Sequence, residues 1–496
     1  MKNSYIPIEF LQIFPKETQL KVKILTTIFQ STTGHQIGYL VKYSNLDRKT
    51  IYKYIKEINE VSIKQFKKDA ILLSDKKQYY FAMTKSEFLT LRFLIFETTF
   101  IIELINLFMR SSTVNITKFC IENYISENAL KQQIKAINSL LVNFDLEFKT
   151  RKGFLYLSGT EHKIRYFLST FFWRIYRGFK WPFFQLEKSK VKETLSLIYP
   201  NIGVDVNKQE VPLYLLAVSI LRAKSKNLIL EEILPPYTNS FYENFSNESI
   251  KTLVTNYHLP TSEIKFIILF LHIFPEYLLS KDNTSILEQL SIYKNNSYLS
   301  ILNFLDFVNK KHKEWKINSH KGQQFLSILI SSRIFVDIFN DTYFNIYELN
   351  LIYHSQQEFP NLLPSIAANL KEYDSNISEA ELKSLVFKYA QAYIYAFPPQ
   401  SFEPLIKILL IADTPIYIET ILVNRIKSVL SEKFNVSIST SDQSDDFDFI
   451  IATGIVNHSL LKSKILFVYP HLPVKDIVNI ISTCENVLNK KNVLKN

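Results

Sequence analysis

Glycine is scarce: 8 residues among 496, where average usage of about 7% would give roughly 35. Loops that cradle phosphates need glycine wherever backbone approaches the ligand, so a nucleotide-binding enzyme is not expected. None of the strings G-x-x-x-x-G-K-[ST], G-x-G-x-x-G, H-E-x-x-H or G-x-S-x-G occurs. The commonest motif-marked enzymes therefore have no support, and the expectation is a chain without catalysis of its own. Cysteine is as sparse. Cys120 and Cys484 stand far apart, which excludes a disulfide framework and a Cys-rich zinc site and fits a reducing cytoplasm. His312 and His320 lack Cys or carboxylate partners at ligand spacing, so neither metal nor cofactor is expected.

Long hydrophobic runs are missing too. Phe93–Met109 is interrupted by Glu97 and Glu103, and Phe266–Leu279 by Pro275 and Glu276. Both fall short of the about 18 clean apolar residues a membrane span needs. The stretch MKNSYIPIEFLQIFPKE is broken by prolines and glutamates before any signal-like core, so export is not expected.

What is present is material for a large folded chain. At about 100 to 200 residues per domain, the length leaves room for about three to five domains, and 47% hydrophobic with 21% charged residues is an ordinary globular balance. The net charge of +11 is uneven. Residues 1–180 hold 28 Lys and Arg against 15 Asp and Glu, a net of +13, and the remainder carries −2. A basic excess confined to one third points to a polyanion partner there.

That third contains two helix-turn-helix patterns. QLKVKILTTIF after Thr18 reads as a helix, His35 to Tyr43 as a second, and DRKTIYKYIKEIN as a third with Asp47 as N-cap. Ile51, Ile55 and Ile58 make its buried face. Arg48, Lys49, Thr50, Tyr52, Lys53 and Lys56 make the face offered to a major groove. AILLSDKKQYYFAM follows as a hairpin wing. The second pattern runs through a helix from Ser86 to Arg110, another from Asn115 to Tyr124, and SENALKQQIKAINSLLVNF. Here Leu130, Ile134, Ile137 and Leu141 face inward. Asn128, Lys131, Gln132 and Lys135 face out, carrying groups that can read adenine, guanine or phosphate. The wing LEFKTRKGFLYLSG puts Arg151, Lys152 and Gly153 at a basic tip.

RKGFLYLSGTEHKIRYFLSTFFWRIYRG and PLYLLAVSILRAKSKN from Pro212 resemble segments of the Mga/AtxA family, virulence and carbohydrate-responsive transcriptional regulators of Gram-positive bacteria. The resemblance implies a mainly α, multidomain chain. Two winged helix-turn-helix domains span 1–84 and 85–165, and two all-helical phosphotransferase regulation domains span 166–290 and 291–401. A small α/β domain similar to a phosphotransferase IIB subunit follows at 402–496. The sequence agrees where it can be read alone. The middle is helical, and after Pro404 short apolar strands alternate with helices, the mark of a parallel α/β unit.

The same resemblance implies regulation by histidine phosphorylation. His272, in an L-H-I context, and His320 are the candidates, whereas the helix LYLLAVSILRAK has no histidine. In the IIB-like unit, LLIADTPIY carries Asp413 where a phosphate-carrying subunit needs cysteine. An interaction or dimerisation module is expected there instead. The aromatic cluster Phe171–Phe184 reads as a core joint. Expected partners are double-stranded DNA, a second copy of the chain, and phosphocarrier proteins of the sugar phosphotransferase system. Two readings from other classes are an RNA-binding antiterminator, which would use a small β-rich domain, and a signalling scaffold, which would not need the +13.

Overall fold

Helices form where apolar residues recur at helical spacing. The computed structural model describes residues 8–199, 206–278, 283–292, 296–339, 346, 359–440, 447–454 and 464–493. After the short α1 (Ile8–Leu11), α2 (Lys16–Phe29) precedes β1 (His35–Gln36), α3 (Ile37–Ser44), α4 (Arg48–Phe66), β2 (Ile71–Leu73) and β3 (Gln78–Phe81). The strands form an antiparallel sheet in the order β1-β3-β2. Ile51 and Ile58 are fully buried and Ile55 nearly so, as their spacing requires.

The next elements repeat this order. α5 (Lys85–Glu97) and α6 (Phe100–Phe108) precede β4 (Thr113–Asn115), α7 (Ile116–Glu122), α8 (Glu127–Leu141), β5 (Glu147–Arg151) and β6 (Phe154–Ser158). The sheet order is again one short strand against the hairpin, β4-β6-β5. The single helix expected over Ser86–Arg110 is in fact two. Thr98 and Thr99 donate their hydroxyls to the carbonyls of Ile95 and Phe96, local bonds that compete with helix continuation.

α9 (Glu161–Tyr176) follows the second wing and is buried on nearly every face. Phe167, Leu168, Phe171 and Phe172 are each fully buried, so the aromatic cluster begins as core. Phe184 lies outside it, 70% exposed beneath the Arg110 guanidinium. Because α9 runs from 161 to 176, the boundary expected at 165 falls inside a helix; so does the one at 290, within Asn283–Ile292. The apolar phase of both helices continues across these points, and spacing gave no signal for a break.

Two compact units result: Met1–Tyr298 with Arg333–Leu349, and Leu299–Ser332 with Asn350–Asn496. The first holds both helix-turn-helix modules, α9 and helices that include Val206–Lys224 and Thr261–Leu271. The second ends in a parallel sheet of β7 (Ile406–Ile411), β8 (Val436–Ser439), β9 (Phe449–Ala452) and β10 (Ile465–Phe467), in the order β10-β9-β7-β8. Ile406, Ile408 and Leu410 pack against Leu422, Ile426 and Leu430 of helix Ile416–Leu430 and against Ile480 and Cys484 of helix Val474–Val493. Buried apolar runs covered by helices are what parallel strands require. The chain is thus mainly helical, with helix-turn-helix structure near its start and a small parallel sheet near its end.

Scarce glycine leaves its mark on the turns. Asn45, Lys67, Asp145, Arg177 and His258 occupy left-handed positions at helix ends, where glycine is the usual occupant. Gly153 is kept where two successive positive-φ residues, Lys152 at 50° and Gly153 at 79°, close the two-residue hairpin between β5 and β6.

Candidate nucleic-acid interface

The candidate recognition helix of the first module, α4, is started by Asp47. Its side chain accepts the Thr50 backbone N–H at 2.9 Å and the Thr50 hydroxyl, and these bonds hold the Asp47 carboxyl below its ordinary range. From that cap, Arg48, Lys49, Tyr52, Lys53 and Lys56 point to solvent. Thr50 does not join them: half-buried, its hydroxyl serves the cap. Lys53 and Lys56 pair loosely with Glu57 and Glu60 one turn on, at 3.6 and 3.9 Å, contacts of little energetic weight at a solvated surface.

The second helix repeats the plan. Ser126 caps α8 by accepting the Ala129 N–H at 3.1 Å. Leu130, Ile134, Ile137 and Leu141 are buried, while Asn128, Lys131, Gln132 and Lys135 are exposed. Arg151, Lys152 and Gly153 are exposed at the tip of the hairpin. Each expected contact residue of α8 and its wing thus lies on one accessible side of its element.

Three features of these modules escaped the sequence reading. Asn59 accepts the Ile71 N–H and donates to the Ile71 carbonyl, both at 2.9 Å. Asn138 does the same to Phe148, at 2.8 and 3.0 Å. Each carboxamide clamps the first wing strand to its recognition helix. The signal was present: IKEIN at 55–59 and IKAIN at 134–138 are a short internal repeat. The second feature is a column of rings beside α4. His35 stacks on Tyr39 at 4.2 Å and Tyr39 on Tyr43 at 5.9 Å, with the Lys23 ammonium 4.6 Å from the Tyr43 ring. Tyr39 and Tyr43 remain close to half exposed.

The third is a buried ion network at the start of α9. Arg165, with no exposed surface, donates to Glu263 at 2.5 and 3.0 Å and to Glu161 at 3.0 Å. Arg222 grips Glu161 at 2.6 and 2.8 Å and donates to the Phe108 carbonyl at the end of α6. Glu161 and Arg165 share α9 at the i,i+4 spacing of a helical ion pair, but Glu263 and Arg222 come from other helices, which no spacing rule reaches, so the sequence reading missed the network. Beside them His162 is 7% exposed. Burial first, then the Lys163 and Arg165 charges, push its imidazole down to about 4.

The two candidate phosphorylation sites differ. His272 caps helix Thr261–Leu271, 4% exposed, its Nδ1 2.7 Å from the Ile268 carbonyl and its ring stacked on Phe241 at 4.3 Å. In this conformation it is a core residue, placed there by the apolar run around it. His320 opens helix His320–Phe339 and is exposed. Asp413 lies just past β7, where its backbone N–H reaches the Thr453 hydroxyl at 3.0 Å. Among the described residues no cluster of three metal-ligating side chains occurs and no helix is long and apolar enough to cross a membrane.

No curated protein matches this chain. Residues 84–172, from the N-cap of α5 through α8, its wing and most of α9, match the family model described as the Mga helix-turn-helix domain, so the element bearing Asn128, Lys131, Gln132 and Lys135 is the helix-turn-helix of a DNA-binding transcription regulator.

Proposed function

We propose that the chain is a cytoplasmic, sequence-specific transcription regulator of the Mga/AtxA kind that binds double-stranded DNA through two winged helix-turn-helix modules and has no enzymatic activity of its own. The observation that carries this reading is the match over 84–172, whose recognition helix presents its polar stripe to solvent. The same element order, clamp and exposed basic stripe in the first module support a second DNA contact. The helices that follow fit two phosphotransferase regulation domains, and the parallel sheet fits a IIB-like domain. With Asp413 in place of a cysteine, that domain serves contacts between copies of the chain. Paired modules suit paired half-sites, so a dimer or higher oligomer is the acting form. Of the two histidines, the exposed His320 is the one a phosphocarrier protein can reach without opening the core.

The test is a mobility shift of the full chain on its own upstream region at about 50 and 200 mM salt, where several phosphate contacts cost orders of magnitude in affinity. A salt-sensitive shift, weakened about tenfold or more and with a shallower salt slope when Arg48, Lys49 and Lys53 are replaced by alanine in a protein that still melts cooperatively, is the expected result. No shift at either salt from folded protein overturns the reading.

A further inference from the structure

Counting from the N-caps Asp47 and Ser126, the exposed positions of α4 and α8 correspond one to one. Arg48 and Lys49 stand where the second module has Glu127 and Asn128. Tyr52 and Lys53 correspond to Lys131 and Gln132, and Lys56 to Lys135; all ten side chains are exposed. The first face therefore offers four cations and a phenol, the second two cations, two carboxamides and a carboxylate.

The preceding helices extend the contrast. α3 adds Lys42, Tyr39 and Tyr43, with Lys23 against the last ring. In α7, Lys118 faces Glu122 at 3.8 Å, and Thr117 donates to Glu127 at 3.0 Å. Asp47 and Glu127 each place a carboxylate at the start of their helix, so in both modules phosphate is left to the side chains of the exposed stripe and not to the first N–H groups. Ammonium, guanidinium and phenol groups hold phosphate oxygens whatever the base sequence. A carboxamide carries a donor and an acceptor side by side, matching N6 and N7 of adenine.

We infer that the two modules divide the recognition of DNA: Asn128 and Gln132 of the second read base edges and set the sequence chosen, while Arg48, Lys49, Lys53 and Lys56 of the first grip phosphates without regard to sequence. The inference rests on the DNA-binding reading above and assigns its specificity to one helix.

Selection of full-length protein on a pool of random-sequence duplexes tests it without a known operator. The wild type retrieves a consensus. K49A/K53A/K56A retrieves the same consensus, binds every duplex about tenfold or more weakly, and shows a salt slope shallower by about three. N128A/Q132A keeps the salt slope and the affinity for the unselected pool but loses the consensus, each residue relaxing preference roughly 5- to 150-fold at the base it reads. Lys→Gln replacements at the same three positions, and melting curves that superimpose on the wild type, separate lost contacts from lost folding. Consensus lost in the lysine variant and kept in N128A/Q132A overturns the division, as does equal loss of both properties in both variants. A wild type that retains no duplex at about 50 mM salt overturns the DNA-binding reading itself.

Discussion

The two helix-turn-helix modules agree inside and disagree outside. Ile51, Ile55, Ile58 and Asn59 of the first have the counterparts Leu130, Ile134, Ile137 and Asn138 in the second. Their exposed stripes share hardly a residue. They also leave their wings differently. After the first, α5 opens with an exposed capping box in which Thr84 and Glu87 bond reciprocally. The Lys68 ammonium, then Thr84, hold the Glu87 carboxyl down to about 2, and the module is otherwise secured by rings such as Phe29 stacked on Phe88 at 3.9 Å. After the second, Glu161 enters the buried network of Arg165, Arg222 and Glu263. Apolar contacts tolerate small shifts, whereas buried ions demand one geometry. The second module is thus the one tied most strictly to the helices that follow.

The largest effect that tests this contrast comes from Arg165→Met. It strands Glu263 in the core without its cation and should cost about 3 to 5 kcal/mol of stability, read as a large fall in the denaturant midpoint. Lys68→Met, at the equivalent exit of the first module, should lower the midpoint far less, because its pair with Glu87 is solvent-exposed. Equal losses would break the comparison. Next in size is a pH effect. The His162 imidazole takes a proton only near pH 4 in the folded chain but near 6.5 when unfolded. Between those values the unfolded state binds the extra proton, so stability falls as pH drops from 6.5 to 4, by about 3 kcal/mol. H162Q should flatten that slope in denaturant titrations at pH 7, 5.5 and 4. His35, in the first module, is lowered in the same direction by burial but is only half-buried, and H35Q should change the slope far less.

These effects divide along the line between what could and could not be read in the sequence. Element order in both modules, the N-caps Asp47 and Ser126, the inward stripes and the parallel C-terminal sheet were legible because each depends on neighbours a few residues apart. The break at Thr98–Thr99 was not, since the apolar pattern continues across it and only the hydroxyl bonds decide. Arg165, Glu263 and Arg222 were illegible for a stronger reason: their pairing is fixed by three helices meeting, and charged residues in an apolar run read as surface until a partner is placed. His272 shows the reverse case. The apolar residues that make up its L-H-I setting also bury it, which local context does not reveal.

The clamps come next in size. Asn59→Ala and Asn138→Ala each leave a wing N–H and carbonyl without the bonds they now make, at a cost of about 1 to 3 kcal/mol. Near-equal destabilisation would sharpen the claim that the modules are one design used twice. In each variant, hydrogen exchange should accelerate at the clamped strand residue, Ile71 or Phe148, and leave the other module's wing protected. Acceleration of both wings by a single substitution would show that the modules unfold as one.

The smallest contrast lies in the caps, of which one is an aspartate carboxylate that titrates and the other a serine hydroxyl that does not. Ser126→Ala should lower stability by about 1 kcal/mol at every pH, since a hydroxyl does not titrate in this range. The Asp47 carboxyl is held below its ordinary value of 3.8 by the Thr50 hydroxyl and N–H. A carboxyl with a depressed folded value stabilises above the unfolded value, and that contribution is lost as pH falls through the folded one. D47N should therefore be less stable than the wild type at pH 6, with the difference shrinking steadily once pH drops below 3.8. A D47N deficit that stays constant down to pH 2 would mean that charge plays no part in the first cap. The contrast between the two recognition helices would then rest on their exposed faces alone.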